Sequence, residues 1–210
     1  MIIGIENIVF LIVAALGIGL FVWQIRKIRK NVLMGRDMEI SDNPSERINK
    51  TLLVAFGQQK MFKRMLPAVL HLFVYVGFLV INIEVLEILI DGIFGTHRIL
   101  GFAGILYSGL MAVNEILAAL VIIACAMFLW RRNVTKVPRL ASGVEMRAWP
   151  KLDANLILIT EIVLMLALFA FNISDLKLAQ LRGAHLAGVY PVSSMFVDIL
   201  GSDPDNLYVI

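Results

Sequence analysis

Residues 60–98 read KMFKRMLPAVLHLFVYVGFLVINIEVLEILIDGIFGTHR, and this stretch decides the fold. It opens with a basic cluster and continues as an apolar run over residues 65–94. At about 1.5 Å per residue, a helix of that length crosses the roughly 30 Å of hydrocarbon in a bilayer. The sequence therefore predicts a transmembrane helix here, with the remaining chain organised as a bundle around it.

The composition extends this prediction to the whole chain, because 60% of its 210 residues are hydrophobic. Such a density of apolar runs is typical of an integral membrane protein. We predict an all-α, multi-pass membrane bundle with four transmembrane helices. The predicted spans are residues 7–23, 65–94, 100–130 and 155–172.

Composition also excludes several classes of site. The basic residues flank apolar runs and form no aromatic-interleaved face, which argues against nucleic-acid binding. Cys125 is the single cysteine, so these residues alone can form neither an intramolecular disulfide nor an iron–sulfur cluster. No basic segment precedes the first apolar run, so that run is predicted to remain as an anchor rather than to be a cleaved signal peptide.

The distribution of basic residues predicts the orientation. Of the 19 Lys and Arg residues, ten lie in residues 24–64 and six lie in residues 131–154. The positive-inside rule therefore places these two loops in the cytoplasm and both termini outside.

The first loop contains a predicted helix that starts near Pro44, after a possible cap at Asn43. Its apolar residues then recur at helical spacing: Ile48, Leu52 and Phe56. Such a helix either lies along the inner membrane surface or packs on another subunit, and the pattern leaves both interpretations open.

His71 is the first candidate functional residue. On a helix it shares a narrow sector with Tyr75, Phe78 and Asn82, and a histidine predicted to face inward from a membrane helix indicates a functional site. It lies six residues into the helix, about 9 Å deep. Its imidazole suits an axial ligand of a haem held between helices, and a hydrogen bond to a neighbouring helix is the alternative.

His97 lies 26 residues further on, about 39 Å along a continuous helix, so the two histidines cannot bind one iron. Any role for His97 belongs to a second site at the outer surface, with His185 as a possible companion. The alternative is an ordinary histidine in a Gly-Thr-His-Arg turn.

Acidic residues within the predicted spans are the remaining candidates. Glu115 and Glu161 could serve a proton relay or a quinone-binding site, or could form structural hydrogen bonds. Glu84, Glu87 and Asp91 lie on the side of their helix opposite His71, near its outer end, and are predicted to form a hydrated face.

Two other stretches are predicted to be scaffold. Gly104, Ser108 and Ala112 recur every four residues, which is typical of a close helix–helix contact. Residues 173–210 are interrupted by glycines and prolines and are predicted not to form another span.

Several segments together resemble a known family of membrane electron-transfer proteins. They are Arg64-Met-Leu-Pro-Ala-Val-Leu-His71, the following Gly77-Phe78, and residues 81–98 and 150–161. The pattern is similar to that of the membrane subunits of respiratory nitrate reductase gamma type. It is more similar to the fused form, in which such a bundle precedes an iron–sulfur domain related to heterodisulfide reductase.

The resemblance implies a five-helix bundle in the bacterial inner membrane that binds haem b through histidines of helices two and five. Electrons would pass between quinone and cytoplasmic 4Fe–4S clusters, in some members with electron-transfer flavoprotein as partner. His71 matches the ligand of helix two, and His97 follows in a matching segment. The fifth helix and the iron–sulfur domain are absent from these residues, so the chain is expected to be a fragment or a split subunit.

Three functions follow as hypotheses. The first is a membrane electron-transfer module that is incomplete as an enzyme on its own, with no catalytic residue assigned. The second is an anchor without haem for a cytoplasmic redox partner. The third is a small proton or ion transporter that uses Glu115 and Glu161, for which no inverted repeat is evident.

Overall fold

The computed structural model describes residues 5–35, 43–58, 61–135 and 149–199. Within these ranges the regular structure is helical throughout. The α-helices are α1 (Ile5–Leu33), α2 (Pro44–Thr51), α3 (Met65–Phe94), α4 (Ile105–Asn133) and α5 (Trp149–Arg182). A π-helical turn, Leu52–Phe56, continues α2 directly.

Four of these helices, α1, α3, α4 and α5, are long and apolar enough to cross a membrane. The predicted all-α membrane fold is therefore confirmed. Pro67 falls in the first turn of α3, where the missing N–H costs no helical hydrogen bond. At the other end, Gly95 adopts a left-handed conformation (φ +64°) and terminates the helix.

The ends of a helix differ from those of its predicted span where the apolar run ends at one residue and the helix-breaking residue lies at another. The predicted span 7–23 continues as helix to Leu33, because lysine, arginine and glutamine are good helix formers. The predicted span 155–172 lies within the longer α5 for the same reason. In contrast, the predicted span 100–130 starts too early, since Gly104 (φ +57°) separates a short 3₁₀ turn from α4.

The chain divides into two compact units. The first comprises Met1–Arg64 with Ile88–Ile99. Within it, the Asn7 side chain donates a hydrogen bond of 3.0 Å to the carbonyl oxygen of Gly92. A Cβ atom at Gly92 would lie 2.5 Å from the ring of Phe10, so the glycine permits this close approach of α1.

The second unit comprises Met65–Glu87 with Leu100–Ile210, and in its described part α4 packs along α5. The buried side of α4 includes Met111, Ala118, Val121 and Cys125, which are 0% exposed. The predicted contact stripe lies beside this face rather than on it. Gly104 is exposed, and Ser108 and Ala112 are only half-buried.

After α5 the chain folds back in a segment that we call the return segment, residues 183–199. Tyr190, Ser193 and Val197 of this segment are buried. Tyr190 joins Tyr107 and Met111 of α4 in one apolar cluster. Among the described residues, which end at 199, no membrane-length helix follows α5, and the remaining residues of the predicted non-spanning stretch 173–210 lie outside the described ranges. The packing of the return segment was not predicted.

All three tryptophans of the chain lie near the basic ends of their helices. Trp23, Trp130 and Trp149 are each more than half exposed. Tryptophan favours the membrane–water interface, so these positions mark the predicted cytoplasmic boundary. About 20 residues of helix cross the hydrocarbon, which places the opposite boundary near residue 110 of α4 and residue 169 of α5.

Candidate functional site

The most conspicuous polar feature of the second unit is a set of buried carboxylates. Glu84, Glu87 and Glu115 are each at most 1% exposed. The predicted hydrated face of α3 is therefore wrong for Glu84 and Glu87. These two acids lie on the buried side of α3, together with Gly77 and Ile81.

Each of the two carboxylates of α3 accepts at least one hydrogen bond from an uncharged donor. Glu87 accepts hydrogen bonds from the Leu100 N–H (2.8 Å) and the Tyr107 hydroxyl (2.9 Å). Glu84 accepts one from the Asn114 side-chain amide (3.1 Å). Because an unsatisfied buried polar group is costly, these bonds join α3 to α4 at defined positions.

Glu115 fastens the return segment. Its Oε2 accepts hydrogen bonds from the backbone N–H groups of Val192 (2.7 Å) and Ser193 (3.1 Å). The Ser193 hydroxyl donates a third bond to Oε1. The carboxylate lies 15 residues from Trp130, roughly 22 Å beyond that interface. The structure thus shows a structural hydrogen-bonding role for Glu115, while its predicted proton or quinone role stays a prediction.

Glu161 lies on α5 and is half-buried. It stands 12 residues after Trp149, roughly 18 Å along the helix and therefore within the apolar part. Its assignment to a proton or quinone pathway stays a prediction as well.

Asp91, the third acid of the predicted hydrated face, belongs to the first unit and organises the turn that carries His97. Its carboxylate accepts hydrogen bonds from the Thr96 hydroxyl (2.5 Å), the Arg98 N–H (2.6 Å) and the Ile99 N–H (3.3 Å). The His97 side chain in this turn is exposed. The environment of the histidine is thus a well-bonded surface turn.

His71 lies on the side of α3 opposite the buried acids, as the helical spacing predicts. His71 and Phe78 on this side are exposed, whereas Tyr75 and Asn82 are half-buried. Its neighbour Phe78 is 59% exposed and Leu79 is 52% exposed. The expectation that His71 faces into the bundle is therefore wrong for the described chain. The packed side of α3 is the one with the carboxylates, because α4 covers it.

The histidines of the described chain can be compared with the axial ligands that a haem iron requires. His71 offers an imidazole on an apolar helix face, which fits one axial ligand. His97 is about 39 Å further along the chain and cannot supply the second ligand. Within the described residues, no group of three or more His, Cys, Asp and Glu side chains could hold a metal ion. The described chain thus offers a haem at most one imidazole, on an exposed helix face.

Comparison with known proteins shows a similarity to a larger bacterial protein. The chain is 26% identical over 138 residues to the "Probable iron-sulfur-binding oxidoreductase FadF" of Bacillus subtilis strain 168. The matched part covers 66% of this chain and 19% of the relative, so the chain spans about a fifth of that protein's length. No protein-family model and no solved structure matches the chain.

Proposed function

We propose that this protein is the membrane electron-transfer module of a quinone-linked oxidoreductase that contains haem b and iron–sulfur clusters. The similarity to an iron–sulfur-binding oxidoreductase is the observation that carries the proposal. The four membrane-length helices support a location in the bilayer, and we place the protein in the inner membrane of a bacterium.

His71 is the residue that we assign to the cofactor. Its position supports this assignment, because about 9 Å into α3 lies near the predicted cytoplasmic boundary and within the apolar zone. Haem, when bound, would supply one-electron chemistry at this depth. Because the His71 side of α3 is exposed in the described chain, a further helix or subunit would provide the second ligand and the opposite wall.

The iron–sulfur clusters of the proposed enzyme lie outside these 210 residues. Clusters are held by several cysteine thiolates, and Cys125, the single cysteine here, is buried in α4. The electron partner is therefore a cytoplasmic iron–sulfur domain or subunit, with electron-transfer flavoprotein as a second soluble partner. Quinone is the proposed membrane substrate.

A second candidate is a membrane anchor without haem, and one observation favours it. The packed polar residues Glu84, Glu87 and Glu115 all make structural hydrogen bonds, whereas His71 lies on an uncovered face. In that case the helices would only hold a redox partner at the membrane.

The reduced-minus-oxidised absorption spectrum of the protein, purified from its native membrane with its partners, tests the proposal. We expect a b-type α-band in the wild type, and its loss in His71→Ala. His97→Ala is the matched control, since its exposed turn is remote from the proposed haem, and it should retain the band. A band that survives in His71→Ala would refute the ligand assignment, and a colourless wild-type complex would favour the anchor.

A further inference from the structure

Helix α2 is amphipathic and continues directly into an apolar π-helical turn, Leu52–Phe56, in the predicted cytoplasmic loop. None of the residues in α2 or in the turn is buried. Ile48, Leu52 and Phe56 recur every four residues and are 61%, 53% and 64% exposed. Such spacing places the three side chains above one another on one face.

The charged residues of α2 lie away from this apolar face. Glu46 and Lys50 form an exposed i,i+4 ion pair of 2.7 Å. At 100° per residue, Lys50 points about 160° from Ile48, while Arg47 lies about 100° from it at the flank. This arrangement is typical of a helix that lies in a membrane interface.

The covalent connections keep the element close to the bilayer. The chain from Phe56 to Met65, where α3 begins, spans at most roughly 32 Å when fully extended. On the other side, the chain from Leu33 to Pro44 spans at most roughly 40 Å. Both neighbouring helices are membrane spans, so the apolar face remains within reach of the lipid surface.

Charge identifies the kind of lipid. Residues 24–64 contain ten Lys and Arg residues against four Asp and Glu residues. Arg26, Arg29 and Lys30 line one concave patch at the basic end of α1. An anionic phospholipid surface complements this charge.

The apolar face is too small for a stable protein interface on its own. One side of these 13 residues is about 20 Å long and covers roughly 200–300 Å², against about 800 Å² per partner in a typical stable complex. A lipid surface requires no such area, because the two spans already supply the attachment.

We propose that α2 and its π-helical turn dock on an anionic phospholipid surface, with Ile48, Leu52 and Phe56 in the lipid and the ion pair in water. This inference rests on α2 with its π-helical turn and on the basic loop, and it is independent of the proposed redox function.

Site-specific fluorescence on the full chain in vesicles tests the proposal. An environment-sensitive dye is attached at Leu52→Cys or, as the matched control, at Lys50→Cys, both in a Cys125→Ala background. Phe56→Cys provides a second position on the apolar face. In vesicles that contain phosphatidylglycerol, we expect blue-shifted emission at positions 52 and 56, quenching by lipids spin-labelled near the headgroup, and water-like emission at position 50.

A separate variant tests the preference of α2 for anionic lipid. Arg47→Gln should lower the ratio of inserted to free α2 by about fivefold in anionic vesicles, and should change it little in vesicles of phosphatidylcholine alone. Equal insertion of the unmodified element in both lipids would overturn the anionic preference. Water-like emission at both positions 52 and 56 would overturn docking on lipid. Blue-shifted emission at positions 52 and 56 that occurs in native membranes but not in vesicles of purified protein would indicate a protein partner, and would likewise overturn the proposal.

Discussion

At the residue scale, the buried acids Glu84, Glu87 and Glu115 each accept hydrogen bonds from uncharged donors within the second unit. Tyrosine, serine, asparagine and backbone N–H groups supply those donors. Each such bond removes the cost of an unsatisfied buried group, which is about 1–3 kcal/mol. Substitutions that leave donors unpaired are therefore expected to destabilise this unit measurably.

Glu115→Ala should loosen the return segment. It removes the acceptor of the Val192 and Ser193 N–H groups, at an expected cost of about 2–5 kcal/mol. Glu115→Gln retains one acceptor oxygen and should cost less. The rate of trypsin cleavage after Arg182 in detergent-solubilised protein measures this opening, because a loss of about 2 kcal/mol raises the open population roughly 30-fold.

Ser194→Ala is the control for this experiment, since Ser194 is exposed and its hydroxyl bonds only to the nearby Pro191 carbonyl. It should cleave at the wild-type rate. Equal cleavage of the Glu115→Ala and wild-type proteins would contradict a fastening role for Glu115.

Tyr107→Phe should lower the free energy of unfolding by about 1–2 kcal/mol, because it removes the hydroxyl donor to Glu87 while keeping the ring. The Tyr75 side chain is half-buried on the opposite side of α3, and Tyr75→Phe should change stability by less than about 0.5 kcal/mol. Unfolding in mixed micelles followed by circular dichroism gives both values. Similar losses in the two variants would argue against a specific Tyr107–Glu87 bond.

The sequence predicted the angular separation of His71 from the acids correctly, because helical spacing alone determines it. It did not predict which side would be buried. Acids near a membrane boundary can be hydrated or hydrogen-bonded, and the difference depends on donors distant in sequence. Ser193 is 78 residues from Glu115 in the sequence, and no local motif around Ser193 predicts its hydrogen bond to this acid.

At the scale of the helices, Gly77 determines how closely α3 approaches α4. A Cβ atom at Gly77 would lie 2.6 Å from a methyl group of Val121, which is closer than real contacts allow. Gly77→Ala should therefore lower stability by about 1–3 kcal/mol through overpacking, despite the better helix propensity of alanine. The same micelle titration measures the change.

Two further variants separate packing from propensity. Gly19→Ala in α1 has open space around its Cβ and should be neutral or slightly stabilising. Val121→Ala should restore much of the stability that Gly77→Ala loses when the two are combined. If the two substitutions are simply additive, the close approach at Gly77 is not what limits packing.

The helices themselves were largely predictable, because apolar runs of membrane length leave few alternatives. The limits of α3 agree with its predicted span, since the change in polarity coincides with Pro67 at one end and Gly95 at the other. The limits of α1 and α5 differ because a helix continues through charged residues after the apolar run has ended.

The orientation in the membrane is the testable property of the whole molecule. With both basic loops predicted inside, Ser45→Cys should be protected from a membrane-impermeant thiol reagent in intact cells, and Ala184→Cys should react. Both side chains are exposed, and the native Cys125 is buried, so it contributes little background. The reverse labelling pattern would show that the predicted orientation is wrong and that the return segment lies in the cytoplasm.

Trp23, Trp130 and Trp149 each lie near the basic end of their own helix, and this has a spectroscopic consequence. Intrinsic tryptophan emission reports on the basic ends of the helices alone, so the return segment and the buried acids near it are optically silent. Release of that segment would leave the emission spectrum unchanged while the fold opened at the other end. A Tyr190→Trp variant would place a fluorescent reporter in the return segment, so that its release could be followed by tryptophan emission.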